Sequence, residues 1–122
     1  MAKIWCLSAP LYSHTDWGGF LNTAKALQQL GHEVLWISEK SLAEAIQHAG
    51  LDFHPVEKTG WLWPPPPPPD LTTIPPQEAV HLRYRRALDT WLSEDLVGEA
   101  VDCLLQLAEE IGKPDIILSD PF

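Results

Sequence analysis

The sequence predicts an α/β fold, a doubly wound, Rossmann-like parallel sheet in the order 3-2-1-4 with helices on both faces. Three observations lead there. Short apolar runs of strand length alternate with stretches of helical spacing. Each helical stretch closes on a glycine, at Gly31, Gly50 and Gly112. Strands joined through helices make right-handed crossovers, and such crossovers build parallel sheets.

Residues 3 to 9 form a nearly continuous apolar run ended by Pro10, as expected of a strand buried on both faces. Between residues 17 and 30, Phe20, Leu21, Ala24, Leu27 and Leu30 recur at helical spacing, with Gly31 at the stop. Glu33 to Ser38, with Val34, Leu35, Trp36 and Ile37, reads as a second buried strand. Ser41 and Glu44 then have the spacing of a capping box, Leu42, Ala45, Ile46 and Ala49 share one face, and Gly50 ends the helix. Leu51 to Val56 is a third, shorter strand. Gln77 to Ile111 is too long and too interrupted for one straight helix, so the spacing predicts two helices or one kinked near 93 to 98, where Ser93 precedes Glu94 and Asp95. Asp115 to Ser119 is the fourth strand.

Between the third strand and the long helical region lies Trp61-Leu62-Trp63 followed by six prolines, Pro64 to Pro69. Six prolines favour an extended polyproline II rod of about 19 Å at 3.1 Å per residue. Residues 57–76 are expected to form a flexible, proline-rich loop. It serves as a stiff surface connection, as an aromatic wall beside a cleft, or as a ligand for a proline-recognising domain.

The chain is long enough to bury roughly two thirds of the surface that its unfolded form exposes, so a core needs neither disulfides nor a structural metal. Cys6 and Cys103 sit in apolar runs with no metal-ligand spacing and read as small buried hydrophobes of a reducing compartment. Seventeen acidic residues against eight Lys plus Arg give a formal charge of -9, which argues against binding along a nucleic-acid backbone. No apolar stretch approaches the roughly 20 residues that span a bilayer, and the N-terminus lacks the pattern of a signal peptide. A cytoplasmic protein is expected.

In a doubly wound sheet, ligands bind beyond the carboxyl ends of the strands, where the strand order reverses. Two stretches qualify, the loop Pro10 to Gly19 after the first strand and Ser119-Asp120-Pro121-Phe122 after the fourth. With the first and fourth strands adjacent, His14 and Asp120 share a rim although they are 106 residues apart in sequence. A His beside a carboxylate can act as general base, because the carboxylate fixes the ring tautomer and stabilises the imidazolium. A structural His and a turn-capping Asp are the blander readings of the same residues. Gly18-Gly19 opens a helix without the Gly-x-Gly-x-x-Gly dinucleotide fingerprint, and there is no Walker-type Gly-Lys-Ser/Thr. His32, in Gly31-His32-Glu33-Val34, belongs to the helix-to-strand turn, and His48, His54 and His81 have no partners at metal spacing. Tyr12, Trp17, Trp61 and Trp63 either line an apolar or sugar-stacking cleft or pack on the sheet.

Several of these segments together resemble a known family. Ala26-Leu27-Gln28-Gln29-Leu30-Gly31-His32-Glu33-Val34, then Ala49-Gly50-Leu51-Asp52-Phe53, then Pro114-Asp115-Ile116-Ile117-Leu118-Ser119-Asp120-Pro121-Phe122, in that order after a His-bearing loop, look like the start of a GT-B-fold glycosyltransferase. The nearest likeness is to the UDP-glycosyltransferases that act on small molecules, including bacterial macrolide and sterol types. The resemblance implies an acceptor-binding N-terminal domain over residues 1–122. It implies His14 as the base that deprotonates an acceptor hydroxyl and Asp120 as its support, with Tyr12, Asp16, Trp17, Gly18, Trp61 and Trp63 toward the acceptor. The reaction implied is an inverting hexosyl transfer from a nucleotide-sugar, a UDP-sugar by likeness, with no metal or other cofactor.

Where the family has Gly-His followed by Asn-Pro, this chain has Ser13-His14-Thr15-Asp16-Trp17-Gly18-Gly19. An ungapped alignment back from Ala26 puts Asp16 in the place of the base, and a loop two residues longer restores His14. A carboxylate is a weak base for an alcohol unless its pKa is raised strongly, which favours His14. The family's donor-binding segment does not occur here. A missing donor-binding domain or subunit is therefore an expected partner, the chain alone is expected to be inactive, and an exposed sheet edge is expected to invite a homodimer. The alternative from another class is a non-catalytic α/β module that binds a protein through its Trp/Pro-rich loop. A small-ligand domain of the flavodoxin or response-regulator kind has no acidic cluster or phosphate loop to support it.

Overall fold

Ile4, Trp5 and Cys6 are all buried, so the first strand has water on neither face and takes the middle of the sheet. The computed structural model describes residues 1–12, 15 and 19–120. Its elements are β1 (Lys3–Leu7), α1 (Phe20–Gln29), β2 (Glu33–Ser38), a 3₁₀ turn (Lys40–Leu42), α2 (Ala43–His48), β3 (Asp52–Pro55), α3 (Pro76–Thr90), α4 (Glu94–Ile111) and β4 (Ile116–Ser119). The four strands form one parallel sheet in the order β3-β2-β1-β4, as the alternating pattern predicts. Ile4 lies in register with Val34 and Ile116, Cys6 with Trp36 and Leu118.

Because side chains alternate along each strand, the sheet sorts its residues into two cores. On one face Ile4, Cys6, Val34 and Trp36 meet Ala24 of α1, Leu42 of the 3₁₀ turn and Ile46 of α2, with Phe20 tilted against the Trp36 ring at 4.8 Å. On the other, Trp5 and Ile37 meet Leu107 of α4, flanked by Leu104 and Ala108. Helices thus cover both faces.

The glycine stops have a physical cause. Gly31 (φ +93°) and Gly50 (φ +87°) adopt the left-handed conformation just past α1 and α2. In each case two backbone N–H groups reach back, Gly31 to Gln28 and His32 to Leu27, Gly50 to Gln47 and Leu51 to Ile46, satisfying carbonyls that the helix end leaves open. At the end of α4, Gly112 (φ +91°) brings the chain against Lys3, whose ammonium donates to the Ile111 carbonyl at 2.6 Å. A Cβ there would approach Lys3 Nζ to 3.1 Å. Asp115 then exchanges hydrogen bonds with Lys3, its carboxylate taking the Lys3 N–H at 2.8 Å and its own N–H donating to the Lys3 carbonyl at 2.7 Å, which sets β4 beside β1.

Three expectations change. Ser41 and Glu44 form no capping box. Instead, Glu39 accepts from the Ser41 N–H at 2.8 Å and starts the 3₁₀ turn, and α2 follows with no side-chain cap of its own. The long helical region is two helices, one of the two expected readings, and α4 starts after Ser93 as its residues predict; what differs is that Gly98 continues inside α4 and the Ser93 side chain makes no bond to the helix. Cys103 is only half-buried, unlike Cys6. As expected, β4 lies at an edge of the sheet: β1 is its one neighbour among the described residues, and Ile116 and Ile117, on opposite faces, are 46% and 54% exposed. No helix among the described residues is long and apolar enough to cross a membrane.

Two measurements check this architecture. Ile46 is fully buried in the α1/α2 core, so Ile46→Ala should lower unfolding free energy by about 2–5 kcal/mol, read as a lower urea midpoint at unchanged slope. Burial pushes the Cys6 thiol up to about 11. Alkylation of the native protein with iodoacetamide at pH 8 should therefore label Cys103 alone, and both cysteines only after denaturation. Equal labelling of the two in the native state would contradict the packing of β1.

Candidate functional site

The carboxyl ends of β1 and β4 meet at one rim, and its backbone is held from three directions. Asp120 donates its N–H to the Leu7 carbonyl at 3.1 Å, extending the ladder one residue past β4, and its carboxylate Oδ2 accepts the Ala9 N–H at 2.9 Å. From β2, the Trp36 indole donates to Ser8 Oγ at 2.9 Å, and the Ser38 hydroxyl donates to the Ser8 carbonyl at 2.9 Å. Ser8, Ala9 and Pro10 are buried as a result, and the chain leaves the sheet in one fixed direction. Asp120 itself is 8% exposed. A carboxylate this buried is retained at a cost and needs hydrogen-bond donors, of which the Ala9 N–H is one.

The loop that follows runs to Gly19, which enters α1 at φ +75°, a conformation that residues with a Cβ rarely adopt. The Tyr12 carbonyl accepts from both the N–H (3.1 Å) and the hydroxyl (2.8 Å) of Thr15. His14, Asp16, Trp17 and Gly18 lie outside the described residues, and so does the expected pairing of His14 with Asp120. The Tyr12 side chain is 72% exposed and borders an open hollow beside α2 with Ser41, Glu44, Ala45 and His48.

Trp61 does reach the rim. It lines a cleft of about 190 Å³ with Leu7, Ser8, Ala9, Thr59, Ser119 and Asp120. Its ring stacks on Trp91, 5.5 Å between centroids at 15°, and the next residue ties the loop down, since the Leu62 N–H donates to the Thr90 carbonyl at 2.6 Å. Trp91, just past the end of α3, escaped the sequence reading: nothing in its neighbours marks it as the support of a residue thirty positions earlier. Trp63 is half-buried, precedes a cis bond to Pro64, and does not line this cleft.

Asp120 is the one charged residue among the described residues that line the cleft. Lys58, next in sequence to Thr59, pairs with Glu99 at 3.7 Å. The site thus combines an apolar and aromatic wall, serine hydroxyls and one buried carboxylate, which suits a neutral hydroxylated molecule. A larger hollow of about 460 Å³ opens at the opposite, amino ends of the strands beside Lys3, Glu33 and Asp52. Its size does not make it the site, because the ends of parallel strands that gather loops and binding residues are the carboxyl ends. Among the described residues no group of three or more His, Cys, Asp or Glu could hold a metal ion. His32 belongs to the turn it was expected in, its Nδ1 accepting the Ala2 N–H at 3.0 Å.

The sequence matches no protein-family model and no curated protein sequence. Among solved structures the chain is similar to SsfS6, a glycosyltransferase of Streptomyces sp. SF2575, at a TM-score of 0.62 and 23% identity over 98% of this chain and 33% of that one. It is also similar to the glycosyltransferase of kitacinnamycin, at a TM-score of 0.55 and 21% identity over 98% of this chain and 26% of that one. The chain therefore shares its parallel α/β fold with part of each of these glycosyltransferases, while spanning well under half the length of either.

Proposed function

We propose that the chain is the acceptor-binding part of an inverting glycosyltransferase that moves a hexosyl group from a nucleotide-sugar, a UDP-sugar by likeness, to a hydroxyl of a small molecule. The observation that carries this reading is the placement of Asp120: a buried carboxylate at the end of β4, hydrogen-bonded to the strand end that leads into the His14 loop, beside a cleft walled by Trp61. The fold shared with two glycosyltransferases supports it. A further domain or subunit supplies the donor site, so the chain alone binds acceptor without turnover.

In this mechanism His14 accepts the proton of the acceptor hydroxyl as its oxygen attacks the anomeric carbon of the donor. The bond from that carbon to the leaving phosphate oxygen breaks, the nucleoside diphosphate departs with the electron pair, and the anomeric configuration inverts. Asp120 positions the imidazole and offsets the charge it gains. Trp61 offers the acceptor a flat apolar surface held rigid by its stack on Trp91. No metal is needed for these steps.

The test uses a protein that joins this chain to a donor-binding domain. His14→Ala should lower kcat by about 10²–10⁴-fold with donor affinity nearly unchanged. Asp120→Asn should lower kcat strongly while acceptor KM moves only a few-fold, and unchanged turnover in either variant would overturn the assignment. If His14→Ala keeps its activity and Asp16→Ala loses it, the base is Asp16. Trp61→Ala should raise acceptor KM by about fivefold with kcat little changed, the loss of roughly 1 kcal/mol of ring packing. A changed kcat at constant KM would instead place Trp61 among the residues that shape the transition state.

A further inference from the structure

Neither hydrophobic core contains a residue of Pro64–Pro69 or of α3. The segment between β3 and α4 is an excursion away from the sheet, and its two halves hold each other. Leu62 is tied to Thr90 at the far end of α3. Midway along the prolines, the Arg86 guanidinium donates to two successive carbonyls, Pro67 at 3.0 Å and Pro66 at 2.7 Å. Asp70 ends the run by accepting from both the N–H (3.0 Å) and the hydroxyl (2.7 Å) of Thr72, bonds that hold its carboxyl below the usual carboxylate range. The prolines therefore run back along α3, whose 15 residues are about 22 Å long at 1.5 Å each. That length is close to a six-proline rod of about 19 Å.

A surface connection accounts for the return. It does not account for the composition, since the run buries none of its prolines: all six of Pro64–Pro69 are exposed. Of these six, only Pro66 and Pro67 have carbonyls bonded to other described residues. What remains on the outside is a row of pyrrolidine rings and carbonyl acceptors with no N–H donor. A partner that pairs β-strands finds no donors on it, and the proline rings themselves carry no charge for a nucleic-acid backbone, the guanidinium beside them being turned inward to their carbonyls. Aromatic residues that carry their own donor, Trp and Tyr, fit both features, as in the grooves that read proline-rich helices. We infer that Pro64–Pro69 is a docking ligand for a protein domain with an aromatic-lined, proline-reading groove. The Arg86 clamp holds the rod in its bound shape beforehand, which reduces the ordering cost of association. This inference is independent of the glycosyl-transfer reading and survives its failure.

The experiment titrates the folded 122-residue protein with three purified probes, a WW domain, an SH3 domain and an EVH1 domain, by calorimetry. At least one should bind, the Pro65→Ala, Pro68→Ala double variant should lose tenfold or more in affinity, and Arg86→Ala should lose about threefold to tenfold. Melting temperatures of these surface variants should stay within a few degrees of the parent. A synthetic peptide of residues 61–72 should compete for the same domain, which reads the contact even if a variant fails to fold. Absence of binding by all three probes overturns the inference, as does binding that ignores the proline replacements or the competing peptide. Adsorption to phosphatidylglycerol vesicles that depends on Arg83 and Arg85 but not on the prolines, with no domain binding, would reassign this surface to lipid.

Discussion

The hydrogen bonds from β2 to the end of β1 fix the geometry on which the candidate site depends. Trp36 donates its indole N–H to Ser8 Oγ, and Ser38 donates its hydroxyl to the Ser8 carbonyl, both in fully buried surroundings. Buried bonds of this kind are worth little net while made and cost about 1–3 kcal/mol when one partner is removed. Here the penalty falls on a strand terminus. The segment Ser8-Ala9-Pro10 is thereby held against the sheet just where a free loop would otherwise begin, and the Ala9 N–H is presented to Asp120. One side chain thus serves two ends: Trp36 fills the α1/α2 core against Phe20 and, through its nitrogen, holds Ser8 just past the end of β1.

A second constraint acts on the excursion between β3 and α4. A loop of this length would ordinarily be the most mobile part of the surface. Instead it is cross-braced at successive points, Trp61 on Trp91, Leu62 to Thr90, Pro66 and Pro67 to Arg86. The Thr90 hydroxyl in turn donates to the Arg86 carbonyl at 2.6 Å, so the last turn of α3 is itself closed. The bracing lets one excursion have two faces: Trp61 is delivered to the rim beside Asp120, and the prolines are carried outward. The contacts that cross residues 57–76 lie on α3 or at Trp91 just past it, and α3 contributes no residue to either core.

Much of this was legible because it is local. The strand and helix order follows from apolar periodicity and glycine stops, and Glu33–Ser38 is a strand with the bounds its own residues imply. Asp120 could be placed at the rim from strand order alone. What was not legible depends on partners distant in sequence. Ser8, Ser38 and Thr59 look like ordinary polar residues until the parallel register brings them to one end of the sheet. Trp91 looks like a helix-end residue until the excursion folds back on it. The capping box failed for a related reason: Ser41 and Glu44 had the right spacing, but Glu39 reached the Ser41 N–H first and turned the chain into a 3₁₀ start.

The charge distribution gives the proposed division of labour a physical basis. A nucleotide-sugar brings a diphosphate, and binding one requires Lys or Arg forks, helix amino ends or a glycine-rich nest. Among the described residues the cleft at the rim has none of these side chains, and its single charge is negative. Lys58 is occupied by Glu99, Arg86 by the proline carbonyls, and Arg85 lies 3.7 Å from Asp89. Two unit charges of like sign about 4 Å apart repel by about 4 kcal/mol at an effective dielectric of 20, so a diphosphate placed against Asp120 would be unfavourable unless cations came from elsewhere. On the proposed reading a neutral acceptor has no such difficulty, since it brings no negative charge to the carboxylate end of the cleft and its apolar body can lie on Trp61. On the reading proposed above, the rim of β1 and β4 is an acceptor surface by its electrostatics as well as by its shape, and the donor's charge must be met by residues outside it.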